Sequence, residues 1–144
     1  MTLNWTKLIK QKNPKTIGML LQVNLPLLGV KSLTAKVDTG AFSGSLHATD
    51  IKEVEFENKK SLQFTPHGKK SSVTLDSFHS RTIKSSNGHR SLRYAIETEV
   101  VIMGNRYPIT ITLSDRASMK YPMLIGRKFL RTHGFLVDVS INNK

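Results

Sequence analysis

Residues 35–48 read Ala-Lys-Val-Asp-Thr-Gly-Ala-Phe-Ser-Gly-Ser-Leu-His-Ala. Leu33, Ala35 and Val37 form the apolar face of a strand, since strand side chains repeat with period two. That strand runs straight into Asp38-Thr39-Gly40. A carboxylate is thereby fixed on a tight turn at a strand end, and Gly40 lets the backbone fold back without a side-chain clash. An ordinary Asx-type turn between strands would use the same residues.

A second stretch, residues 121–138, reads Tyr-Pro-Met-Leu-Ile-Gly-Arg-Lys-Phe-Leu-Arg-Thr-His-Gly-Phe-Leu-Val-Asp. The pattern predicts a short apolar strand from Met123 to Ile125 that meets Gly126-Arg127. A short helix with Leu130 inward follows, then Gly134 as its stop, then a strand over 135–137.

Elsewhere the pattern is mostly strand. Residues 17–23 are apolar, and Pro26 and Gly29 punctuate them. Val54 and Phe56, Leu62 and Phe64, then Val73 and Leu75 alternate with polar residues. Residues 66–70 read as a turn. Residues 93–103 and 107–113 flank Gly104-Asn105-Arg106, a hairpin signal. Many short strands with close turns argue for an all-β barrel. There is no internal repeat and no glycine-rich phosphate loop.

The chain of 144 residues is long enough for one domain with a real core. It has no cysteine, which excludes disulfides, cysteine-ligated zinc and a thiol nucleophile. The first 16 residues carry four lysines and no acid, and no early apolar run has signal-peptide or membrane-span length. The expectation is a cytoplasmic protein with no membrane partner. A basic N-terminal arm (1–16) precedes one domain (17–144). Net charge is +12, which speaks to partners rather than fold. Residues 77–93 hold His79, Arg81, Lys84, His89, Arg90 and Arg93 with no acid. Residues 116–131 hold Arg116, Lys120, Arg127, Lys128 and Arg131, again with none. Such runs are solvated faces or a surface for an acidic polypeptide or nucleic acid.

Asp-Thr-Gly behind an apolar strand resembles the active-site turn of aspartic peptidases. Ile-Gly-Arg followed by helix, glycine and strand resembles the C-terminal end of retropepsins, such as the proteases of retroviruses. The likeness sharpens over Lys-Val-Asp-Thr-Gly-Ala and Ser-Leu-His-Ala (36–41, 45–48), Ile-Lys-Ser-Ser-Asn-Gly (83–88), Arg93 and the run 113–127. These resemble small bacterial retropepsin-like proteins that carry the label ATP-dependent zinc protease. Members occur beside, or fused to, RimK-type ATP-grasp ligases that add glutamates to proteins. The resemblance covers about residues 17–138. It implies a retropepsin-like (acid protease) closed barrel with one short C-terminal helix. It also implies a peptidase centred on Asp38, Thr39 and Gly40, with Ser85, Ser86, Arg93, Arg116 and Arg127 toward the substrate.

An aspartic peptidase holds two carboxylates that share a proton. One activates water and the other protonates the carbonyl oxygen. This chain has one Asp-Thr-Gly, so a homodimer supplying one aspartate from each copy is the first expectation. Lys36 lies on the face of Asp38 and would favour its ionised form. His47, on the strand after the turn, is a candidate base or oxyanion donor. An Asp38–Lys36–His47 constellation within one chain therefore rivals the dyad. Where retropepsins pair the arginine of Gly-Arg with an aspartate just after Asp-Thr-Gly-Ala, this chain has Phe42-Ser43-Gly44. Arg127 thus calls for another acid, Asp115, Asp138 or a substrate carboxylate. The histidines (47, 67, 79, 89, 133) are scattered, so zinc has little support, and no cofactor is expected. The leading expectation is a peptidase for acidic, glutamate-rich tails. Its rival is a non-catalytic basic module that binds RNA or the ribosome. Tyr94, Tyr107 and Tyr121 make no stacking ladder for that role.

Overall fold

The computed structural model describes residues 15–84 and 87–141. The strands are β1 (Lys15–Ile17), β2 (Leu20–Leu25), β3 (Val30–Val37), β4 (Gly44–Phe56), β5 (Lys59–Pro66) and β6 (Val73–Leu75). They continue as β7 (Phe78–Lys84), β8 (Arg90–Ile102), β9 (Asn105–Ser114), β10 (Met123–Ile125) and β11 (Phe135–Val137). Among the described residues a single α-helix, α1 (Arg127–His133), stands near the C-terminal end. No described helix is long and apolar enough to cross a membrane. The boundary expected at residue 16 falls inside β1, which pairs in parallel with β11.

Six strands close on themselves in the order β10-β3-β2-β8-β9-β4, and β4 returns to β10. Closure leaves the barrel no open sheet edge at those pairings. Alternation of side chains along each strand is the reason the barrel has an inside. Leu33, Ala35 and Val37 of β3, Leu46 and Ala48 of β4, and Ile96, Val100 and Ile102 of β8 are all buried. Their neighbours along each strand face outward. Phe129 and Leu130 of α1 close one end of this core. Among the described residues Thr98 is the polar intruder: it is buried, and its hydroxyl has no partner there.

Two departures from regular strand geometry shape the molecule. β4 follows β9 and β10 as far as His47, and its register then slips between Thr49 and Lys52. Asp50 takes φ 53° inside that slip, so β4 bends out of the barrel to pair with β5. The β8–β9 turn is Met103-Gly104, with φ 50° and 82°, because Asn105 already pairs with Ile102. The hairpin is where the sequence puts it, but the turn is tighter and starts one residue earlier. Two left-handed residues match the twist of the flanking strands.

Candidate active site

Asp38 leaves the end of β3 with its backbone N–H donated to Ile125 O at 2.8 Å. Its Oδ1 accepts the Gly40 N–H at 3.0 Å, and its carbonyl accepts the Ala41 N–H at 3.2 Å. The carboxylate is thus held by its own turn, as an Asx geometry requires. A Cβ on Gly40 would sit 3.2 Å from that same Oδ1. The loop then docks on the helix: Arg127 N–H donates to Ala41 O at 2.8 Å and Lys128 N–H to Phe42 O at 3.1 Å. These carbonyls satisfy the first N–H groups of α1, which lacks a side-chain cap.

The loop crosses β10 at backbone contact distance, and two glycines permit it. A Cβ on Gly44 would lie 2.4 Å from Leu124 O. One on Gly126 would lie 2.6 Å from Phe42 O and 2.7 Å from Ser43 C. Neither position tolerates a side chain unless the backbone moves. The two stretches that opened the sequence reading are therefore one object, interlocked through main-chain atoms.

Lys36, Leu124 and Ser45 are register partners across β3, β10 and β4. Lys36 shares the outward face of Asp38, as alternation predicts, but no ion pair joins the two. The guanidinium that reaches this face is that of Arg116. Its Nε donates to Tyr121 O at 3.1 Å and its NH1 to Ser45 Oγ at 3.0 Å. Burial lowers the Arg116 pKa, and the negative charge of Asp38 opposes that shift. Asp38 and the Arg116 guanidinium are therefore close enough to interact by charge.

His47 is not brought to Asp38. β4 runs antiparallel to β10, with Ser45 level with Leu124 and Lys36. His47 accordingly lies four residue levels below Asp38, about 13 Å along the strands at ~3.3 Å per residue. The Lys36–Asp38–His47 constellation does not assemble within one chain. Nδ1 of His47 instead accepts the Arg116 backbone N–H at 2.7 Å.

Arg127 also differs from expectation. It is exposed, its NH1 donates to Gly40 O at 3.0 Å, and its guanidinium lies 5.4 Å from the centre of the Phe42 ring. The desolvation cost that called for an acid does not arise. The two acids suggested for it are engaged locally, Asp115 with the Ala117 N–H and Asp138 with Ser140. Hydrogen bonds from Ser140 hold the Asp138 carboxyl below its usual range.

Beside the Asp38 loop lies a groove of about 800 Å³. Its floor includes Ser43, Ser45 and Thr112, and its walls carry His79, Arg81, Arg93, Arg116 and Lys128 against the single acid Asp115. Arg81 and Arg93 stand directly opposite one another on β7 and β8. Like charges in that relation cost stability. Of the residues expected at the site, Arg93 and Arg116 line this groove, whereas Ser85 and Ser86 fall outside the described residues. Tyr94 also lines it, with its hydroxyl donating to Glu53 Oε2 at 3.0 Å. Burial and then the Glu53 carboxylate push its phenol pKa up. Arg81 and Ser45 line it too, the first marked in the sequence only as part of a basic run and the second only as part of Ser-Leu-His-Ala. The alternation of β4 and the β7–β8 register would have found both. Among the described residues, no three His, Asp or Glu side chains gather as a metal-ligand set. His79 pairs with Ala95, and His89 lies beyond the Lys84–Arg90 pair at the hairpin end.

The sequence profile of the family described as "Retropepsin-like aspartic endopeptidase RimB" matches residues 17–143. Among curated proteins, the "Probable alpha-L-glutamate ligase" of Shewanella pealeana is 36% identical over 121 residues, covering 80% of this chain and 26% of that protein. A protein of the same name from Desulfotalea psychrophila is 30% identical over 120 residues, covering 79% and 26%. The chain thus spans about a quarter of the length of these relatives. Among solved structures, a Legionella pneumophila protein of unknown function superposes with TM-score 0.73 at 25% identity, covering 90% of this chain and 97% of that one.

Proposed function

The chain belongs to the RimB-like family of retropepsin-like aspartic endopeptidases, and from that premise we propose that it hydrolyses peptide bonds in acidic, glutamate-rich chains, using Asp38. The observation that carries the substrate class is the groove beside the Asp38 loop, where Arg81, Arg93, Arg116 and Lys128 face one acid. Arg81 opposite Arg93 is a costly pairing that an anionic chain between them relieves. Relatives named as glutamate ligases support the same substrate.

Asp38 is the only aspartate followed by Thr-Gly, and Asp115 is turned to its own loop. The second carboxylate of a dyad then comes from a second copy about a two-fold axis. One Asp38 takes a proton from water as the water oxygen attacks the scissile carbonyl. Its partner, protonated, donates to the carbonyl oxygen. As the tetrahedral intermediate collapses the partner takes that proton back, while the first carboxyl passes the proton it took from water to the leaving nitrogen and the C–N bond breaks. The Arg116 guanidinium places a positive charge within reach of Asp38. The proposed setting is cytoplasmic.

The test compares kcat/KM for glutamate-rich and neutral peptides at low and high salt, over a dilution series with sedimentation. Faster cleavage of the acidic peptide, weakening as salt screens exposed charges, is the expected result. Specific activity should fall as the dimer dissociates. Full activity from a strict monomer removes the two-copy dyad. Binding of RNA with cleavage of neither peptide replaces the proposal with the binding-module reading.

A further inference from the structure

His47 carries the Ser-Leu-His-Ala motif, yet the reaction proposed above leaves it without a task. Its side chain is only 15% exposed. The strand around it is pinned on both sides, its N–H donating to Pro122 O at 2.7 Å and its carbonyl accepting the His67 N–H at 3.1 Å. Three groups face the ring. The Arg116 N–H donates to Nδ1 at 2.7 Å, Asp115 Oδ1 lies 3.7 Å from the same nitrogen, and the His67 ring stands edge-on with centroids 5.8 Å apart. Ser114 is its register partner on β9.

An imidazole nitrogen that accepts a hydrogen bond carries no proton. Nδ1 is therefore bare, the proton of the neutral ring is on Nε2, and the Asp115 contact is not an ion pair in this state. The loop from Asp115 to Tyr121 hangs on that acceptor at one end. At the other end Arg116 grips Tyr121 O and Ser45 Oγ, and it is this guanidinium that feels Asp38.

We infer that His47 is a positioning residue. In its neutral form it fixes the 115–121 loop so that Arg116 stands on the Asp38 face, and protonation releases that hold. A proton on Nδ1 would meet the Arg116 N–H head-on. The imidazolium then has a better partner in Asp115, already 3.7 Å away, and the loop trades one contact for the other. His67, edge-on to the same ring, acts in the opposite direction to Asp115. Burial and the nearby His47 charge lower its pKa, and the two rings resist being charged together. The inference rests on Asp38 being the reactive carboxylate, but its structural part stands independently.

The experiment follows the His47 ring and the Arg116 amide by NMR across an acid titration of the whole chain, alongside activity on the glutamate-rich peptide. The Arg116 amide signal should move with the midpoint of His47, and kcat should fall with the same midpoint. His47→Ala should lower kcat about tenfold to a hundredfold, the usual cost of a misplaced group. His47→Asn places a non-titrating oxygen where Nδ1 was, so it should recover most of that loss and remove the shared acid limb. An Arg116 amide indifferent to the titration of His47 overturns the inference. So does a folded Asn variant no better than Ala. If the wild type cleaves no peptide, the proposed function fails, while the amide titration still decides the positioning role.

Discussion

The Asp38 loop and the β7–β8 hairpin border the same groove and are built on opposite principles. Around Asp38 the chain is held by main-chain bonds to Ile125, Ala41 and Phe42, with glycines where two backbones touch. Side chains contribute little to that lock, so composition can vary around it as long as Gly44 and Gly126 remain. The hairpin has regular register but sets Arg81 against Arg93, a choice that works against stability. Geometry is invested at the carboxylate, where an error of an ångström matters. Charge is invested on the hairpin, where the proposed acidic chain would be attracted rather than aligned.

The largest break in this comparison is Asp38→Asn. The amide keeps Oδ1 for the Gly40 N–H and loses the charge and the proton chemistry. We expect peptidase activity to fall by about a thousandfold or more with an unchanged melting temperature. Cleavage at the wild-type rate refutes the role of Asp38. Next is Gly126→Ala, which forces a Cβ to within 2.6 Å of Phe42 O. We expect a loss of about 3 kcal/mol in urea unfolding, the upper range for overpacking. A neutral result would mean the interlock gives way easily.

Arg81→Gln and Arg93→Gln sharpen the other side. Each should lower kcat/KM on acidic peptides about tenfold at low salt, roughly 1.4 kcal/mol of binding lost, with a smaller loss at high salt. Each should also leave stability unchanged or raise it by up to about 0.5 kcal/mol, since a like-charge pair disappears. A destabilised hairpin with intact charge selectivity would reverse the assignment.

The smallest effect concerns His67. Its folded pKa is depressed below 6.5 by burial and then by His47. A depressed pKa means the neutral form fits the fold. The associated stability is complete above the unfolded value and is lost as pH falls through the folded one. Urea midpoints of wild type and His67→Gln should therefore converge below pH 6.5 relative to their separation above it. Parallel curves would remove His67 from the acid response.

The strand–turn at Asp38, the Gly126–α1–Gly134 unit and the alternation of β3 were legible in the sequence. Period-two burial, glycine at close contacts and helix stops are local rules, and each leaves its mark on neighbouring residues. The family followed from those marks. What sits across from what was decided only in three dimensions. Arg127 turned out exposed on Phe42, because docking of the loop on α1 supplies a carbonyl where an acid was expected. His47 shares the face of Asp38 but not its level, because the antiparallel run of β4 against β10 carries it away. Arg116, distant in sequence, arrives beside Ser45 by the closure of the barrel. Chain order fixes which face a side chain takes, while register and closure, which depend on pairings between remote strands, fix its neighbours.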